Sequence, residues 1–205
     1  MIEMQYSRKI KKGNGPTRVF IGGVHGKEGL TTIEPLKNIT EDDVVNGELI
    51  LFNCPESNYI STLDPRYYTT KMGLRIIDII KRYRPEIYVE LHCYKPASYH
   101  KLINLNRKDE TGVPPLIELE DGVLISSVAP YLRTELFKRE NICITLEIPC
   151  NPSENSKDIY FEIMKQIAGS DTRKEFEDKL RIKYPLQVER ARLYAAEFFG
   201  EYPAF

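Results

Sequence analysis

The sequence predicts an α/β protein with a mixed, largely parallel sheet. Short β-rich apolar runs alternate with stretches of helical period along the chain. No internal repeat, low-complexity tract or long linker interrupts that alternation. The length of 205 residues, with 41% apolar and 29% charged residues, suits a single soluble domain, here residues 1–205.

Taken in order, Thr17–Gly23 is a strand closed by two glycines, and a helix candidate runs from about Lys27 to Leu36. Gly47–Asn53 is a second strand. Thr70–Arg84 carries Met72, Ile76, Ile79 and Ile80 at helical spacing, with Pro85 just beyond its end. Glu86–His92 is a third strand. Ser98–Leu105 and Gly122–Ser126 read as weaker strands, and Pro130–Glu140 as a helix. Ile142–Ile148 is a strand stopped by Pro149. Ser156–Ala168 and Thr172–Phe199 are helices, the second broken near Pro185.

Composition excludes several classes of partner. With 29 basic and 30 acidic residues the formal net charge is −1, so nothing draws the chain to nucleic acid or an anionic membrane. The amino-terminal MIEMQYSRKIKKG lacks the apolar segment of a secretory signal, and no run has the length of a membrane span. The four cysteines, Cys54, Cys93, Cys143 and Cys150, form no C-x-x-C pair. They are expected to be reduced structural thiols of a cytoplasmic protein.

In open α/β sheets ligands gather beyond the carboxyl ends of the strands. That rule selects His25, Asn53, His92 and Glu147. His25 and Glu28 form an H-x-x-E pair, which on a strand end and a first helical turn would point at one spot. Alone the pair is unspecific, and Glu28 would equally suit a helix amino terminus. The loop is not a phosphate cradle: Ile21 stands where a P-loop needs glycine, and Glu28 follows Lys27 where it needs Ser or Thr. His92 ends the third strand and completes a His2Glu set, the donor combination of many catalytic zinc sites. Cys93 points to the opposite face from His92. His100, in a Tyr-rich polar stretch, reads as a surface residue.

Glu147 lies within the apolar strand ICITLEIP. A carboxylate there is costly unless it pairs with an arginine or stands beside a metal, where it would serve as general acid/base.

These segments resemble the zinc carboxypeptidase superfamily near its aspartoacylase and succinylglutamate desuccinylase branch, and in particular its small archaeal-type members. GGVHGKEG resembles the segment that supplies the first His and Glu ligands. ELHCY resembles the strand end that supplies the third, with Tyr94 two residues beyond the histidine. TLEIP resembles the strand bearing the catalytic glutamate. The three occur in the family's order, between about residues 18 and 149. The resemblance implies a three-layer α/β/α fold, zinc held by His25, Glu28 and His92, and amide hydrolysis with Glu147 moving protons. The family's substrate-gripping Asn-Arg pair has its nearest match in Asp64-Pro65-Arg66, where Pro65 replaces the asparagine. Arg66 is thereby the candidate for oxyanion or carboxylate binding, and Tyr94 for lining the substrate site. The family's separate carboxyl-terminal β domain has no counterpart.

The expected function is a zinc-dependent amide hydrolase acting on a small N-acyl amino acid or similar carboxylate-bearing molecule. A metallocarboxypeptidase acting on short peptides is the alternative. A non-catalytic metal-binding or interaction protein is a third reading, against which the buried acid at 147 speaks.

Overall fold

The computed structural model describes residues 4–205; the first three residues of the amino-terminal stretch read above lie outside them. Seven strands are present: β1 (Tyr6–Lys12), β2 (Thr17–Gly22), β3 (Gly47–Asn53), β4 (Ile87–Tyr94), β5 (Ile117–Glu120), β6 (Val123–Ser127) and β7 (Ile142–Pro149). They form one sheet in the order β1-β3-β2-β4-β7-β6-β5. Its centre, β3-β2-β4-β7, is parallel, while β1, β6 and β5 join antiparallel at the flanks.

Helices cover both faces. Under α2 (Lys71–Tyr83) and α5 (Pro130–Glu135) lie Val19, Ile21, Ile50, Phe52, Tyr88 and Cys143. The opposite face carries Phe20, Leu49, Leu51, Val89, Leu91, Ile144 and Leu146. It packs on α1 (Gly29–Asn38), α6 (Glu154–Ala168), α7 (Arg173–Lys183) and α8 (Pro185–Phe199). The architecture is therefore a three-layer α/β/α sandwich around a mixed sheet. Every residue of β4 is buried, as a central strand covered on both sides requires. Among the described residues no helix is long and apolar enough to cross a membrane.

Local chemistry sets the helix ends. The Thr70 hydroxyl accepts the Gly73 N–H at the start of α2, and Arg84 ends that helix in the left-handed conformation at φ 46° before Pro85. Tyr184 and Pro185 separate α7 from α8, the break expected within 172–199.

Four expectations change. Ser98–Leu105 is not a strand: it contains the short helix α3 (Tyr99–Leu102), and with α4 (Arg107–Thr111) it belongs to an irregular excursion between β4 and β5. Tyr99, Leu102 and Ile103 pack against Tyr94, Leu116 and Leu124, so the apolar residues of this segment serve a small satellite core, not a sheet. Strands β1 and β5 are additional; β1 has one fully buried position, Ile10, and so carries a weak apolar signal. Glu28 stands just before the first turn of α1 and His25 three residues beyond β2. Finally, Cys93 and Cys150 form a disulfide with Cα atoms 4.9 Å apart, while Cys54 and Cys143 are free and buried. Parallel pairing sets Cys93 opposite Ile148, and the chain past Pro149 turns back to bring Cys150 within reach.

Candidate metal centre

The site is built where β2, β4 and β7 end. The loop from Gly23 to Glu28 leaves β2 through Gly23 at φ +72°, where a Cβ would sit 1.7 Å from the Cys54 carbonyl oxygen; only glycine makes this turn. Tyr67, buried beneath the loop, donates its hydroxyl to the Val24 carbonyl at 2.7 Å. Asn53 accepts from Thr32 Oγ1 at 2.9 Å and donates to the Gly29 carbonyl at 3.1 Å. Asn53 therefore anchors the start of α1 and does not join the cluster.

His25, Glu28 and His92 come together. Each offers one ligand atom, and the three atoms lie within 4.8 Å of one another. His92 Nδ1 is 3.1 Å from Glu28 Oε2, and His25 Nδ1 is 3.6 Å from Glu28 Oε1. Donors about 2.0–2.2 Å from one tetrahedral ion stand roughly 3.3–3.6 Å apart, so these separations suit a shared cation. His25 Nδ1 is buried and has no hydrogen-bond partner, an orphaned donor site that a cation would satisfy. Two imidazoles and one carboxylate match zinc chemistry. Burial pushes the His25 pKa down to about 4, so its ring is neutral and its lone pair free near neutral pH. His92 goes the other way: burial lowers its pKa, but Glu28 and Glu90 outweigh that and hold it well above the usual histidine value.

Glu90 was not a sequence candidate. It is 1% exposed and, two residues before His92, on the same sheet face. Its Oε1 accepts the Tyr88 hydroxyl at 2.9 Å, while Oε2, without a hydrogen bond of its own, lies 3.5 Å from His92 Nε2, within ion-pair distance. A carboxylate at that nitrogen keeps the proton on Nε2 and turns Nδ1 toward the ligand set. A buried Glu two residues before a strand-end His was the signal available for it.

Glu147 is directly opposite His92 in the parallel β4–β7 register, so both side chains leave the same face. The residue is half-buried, and its Oε2 is closed off without a partner. Burial raises its pKa to about 7, against the pull of His92. No arginine forms an ion pair with it among the described residues.

The other candidates fall elsewhere. The Arg66 side chain is 84% exposed and its guanidinium binds Asp64, at 2.6 Å through Nη2. Tyr94 is buried on the His92 face but gives its hydroxyl to the Gly122 carbonyl at 2.7 Å. His100 lies in α3, beside the Tyr99 ring. Tyr59, 76% exposed, sets its ring edge-on to His25 at 5.0 Å. A separate cavity of about 700 Å³ between α7, α8 and residues 139–140 is lined by Arg139, Lys174 and Arg192, which pair with Glu201, Asp178 and Glu177.

Fold and site together define an α/β protein with a His2Glu cluster whose donors suit a cation and a half-buried acid beside it, near the carboxyl ends of parallel strands. The chain belongs to the family described as "Uncharacterized protein conserved in archaea (DUF2119)", whose model matches residues 13–200. It is 40% identical over 192 residues to the uncharacterized protein MJ0501 of Methanocaldococcus jannaschii, covering 91% of this chain and 93% of that one. Among solved structures it is similar to a succinylglutamate desuccinylase/aspartoacylase from Rhodobacter sphaeroides, with 15% identity, 78% of this chain and 56% of that one covered, and a TM-score of 0.41. A metallo-carboxypeptidase from Pseudomonas aeruginosa follows at 13% identity, 79% and 59% coverage and a TM-score of 0.42. A succinylglutamate desuccinylase from Silicibacter sp. follows at 14%, 87% and 60% and 0.44. The chain thus spans under two thirds of the length of each of these solved structures.

Proposed function

We propose that the protein is a zinc-dependent hydrolase that cleaves the amide bond of a small N-acyl amino acid or similar carboxylate-bearing molecule. One observation carries this reading: a half-buried acid, Glu147, with one oxygen closed off and unpartnered, shares a sheet face and a register position with His92, whose Nδ1 belongs to a three-donor cluster with His25 and Glu28. A site that only stored a cation would have no use for a further, unligated acid at that position.

Bound by His25, Glu28 and His92, zinc supplies Lewis acidity for the amide carbonyl and makes water more acidic. Glu147 takes a proton from the attacking water as the C–O bond forms, then gives it to the nitrogen as the C–N bond breaks. In the metal-free protein the Glu147 pKa stands at about 7, and a cation bound beside it would draw that value down toward the range of a carboxylate ready to accept the water proton. Glu90 and Tyr88 hold the His92 ring in one orientation throughout.

The test is metal analysis together with a turnover screen of N-acyl amino acids and short peptides on the same preparation. About one zinc per chain with turnover of acyl amino acids is the expected result. Peptide turnover alone would favour a carboxypeptidase, and stoichiometric zinc without turnover of either class would leave a metal-binding protein.

A further inference from the structure

We infer that Arg107, not Arg66, is the specificity-determining cation of this site, receiving the carboxylate of the substrate from the excursion between β4 and β5. The inference rests on the hydrolase reading above and adds to it the residue that selects a charged substrate.

The excursion, residues 95–116, lies over the reacting end of the sheet. It leaves β4 just past Tyr94, on the His92 face, and packs its Tyr99, Leu102 and Ile103 on Tyr94, Leu116 and Leu124. Leu124 is the register partner of Glu147 on β6, so its side chain leaves the same face beside that acid. The excursion therefore covers the side of the sheet from which Glu147 projects.

What it presents is a half-buried guanidinium. Arg107 Nη1 donates to the Pro114 carbonyl at 2.6 Å, which closes the excursion and fixes the arginine stem. That is its one side-chain hydrogen bond among the described residues, and no carboxylate lies within ion-pair distance of it. Burial lowers its pKa, and Glu147 is the acid whose charge acts on it in the opposite sense. Arg18 binds Asp171 and three backbone carbonyls, and Arg173 binds the carbonyls of Asn141, Ala204 and Phe205. Arg8 and Arg133 also lack an acid, but they are bonded to the carbonyls of Ile39, Lys138 and Arg139, away from the strand ends that carry His92 and Glu147. Arg107 keeps most of its five donors unused. A planar cation with free donors, partly withdrawn from water, is suited to a two-pronged bond with an incoming carboxylate. Arg66 has already spent its fork on Asp64 and stands in solvent.

The experiment compares N-acetylglycine with its uncharged analogue N-acetylglycinamide. Dissociation constants and kcat/KM are measured on zinc-loaded wild type, R107Q, R107K and R66Q, and dissociation constants also on the metal-free proteins. Wild type is expected to prefer the acid at least tenfold. R107Q should weaken the acid by about ten- to hundredfold, the worth of a lost charge-assisted bond, and leave the amide unchanged. R107K should keep part of the preference, and R66Q all of it. Equal affinity for both probes in wild type overturns the inference, as does binding of neither, or a loss in R107Q that falls on both probes alike with R107K no better. Zinc-dependent turnover without acid preference would sink Arg107 and spare the hydrolase. An Arg107-dependent preference without turnover would do the reverse.

Discussion

His92 and Glu147 face each other across the parallel β4–β7 pair, one a member of the three-donor cluster with His25 and Glu28 and the other a half-buried acid with an unpartnered oxygen. Replacing Glu147 by Gln preserves size and hydrogen bonding and removes the base. Zinc content should stay at the wild-type level, because His25, Glu28 and His92 remain. Turnover should fall by roughly two to four orders of magnitude, the usual worth of a positioned general acid/base. Near-normal turnover in a folded, zinc-loaded E147Q protein would end the mechanism.

The same substitution has a pH signature in the metal-free protein. The folded pKa of Glu147 is raised to about 7, against the usual 4–5 of an unfolded glutamate. The unfolded chain therefore loses this proton first, and the wild type loses stability as pH rises from about 4.5 through 7. Metal-free E147Q escapes that loss. Its melting temperature, compared with wild type, should improve steadily over this range and level off above it. A difference that does not vary with pH would mean that the Glu147 carboxyl is not withdrawn from water in the folded protein.

Zinc binding should release close to one proton at a pH above 7, where Glu147 has already lost its own. His25 is already neutral, whereas His92 is held protonated by Glu28 and Glu90 in the metal-free protein and must give its Nδ1 lone pair to the ion. Calorimetric titrations in buffers of different ionisation enthalpy measure the number. Release of two protons, or none, would contradict the charge states assigned to the pair.

Glu90→Gln tests the orienting role of the buried acid behind His92. Loss of the carboxylate at Nε2 should weaken zinc binding by about 10- to 100-fold. Tyr88→Phe, which removes only the hydroxyl holding Glu90, should weaken it less. His92→Ala should lose nearly all binding. Zinc affinity measured by competition with a chelator ranks the three, and an E90Q affinity equal to wild type would reduce Glu90 to a packing residue.

Reduction of the Cys93–Cys150 disulfide should lower the melting temperature without releasing zinc. The bridge joins positions 57 residues apart, worth at most about 4 kcal/mol by loop-closure entropy. Cys93 points away from the face that His92 uses. Parallel melts and metal analyses with and without a phosphine reductant check both halves of this.

Much of the molecule could be read without coordinates. The alternation of strands and helices, together with His92 and Glu147 near the ends of their strands, was legible because period and position along a strand are local properties, while His25 proved to lie in the loop past β2. The assembly of His25, Glu28 and His92 follows from that order once β2 and β4 pair as parallel neighbours. What pairs across space was not legible. The register that sets Glu147 opposite His92, the Cys93–Cys150 bridge and the fold of residues 95–116 over the sheet all depend on contacts between distant segments. Arg66 and Arg107 make the division plain: as letters both are arginines in polar, turn-rich stretches. Only the tertiary structure folds one onto its neighbour Asp64 in solvent and leaves the other half-buried with a backbone carbonyl as its partner, because burial and charge pairing belong to the packed chain and not to its local sequence.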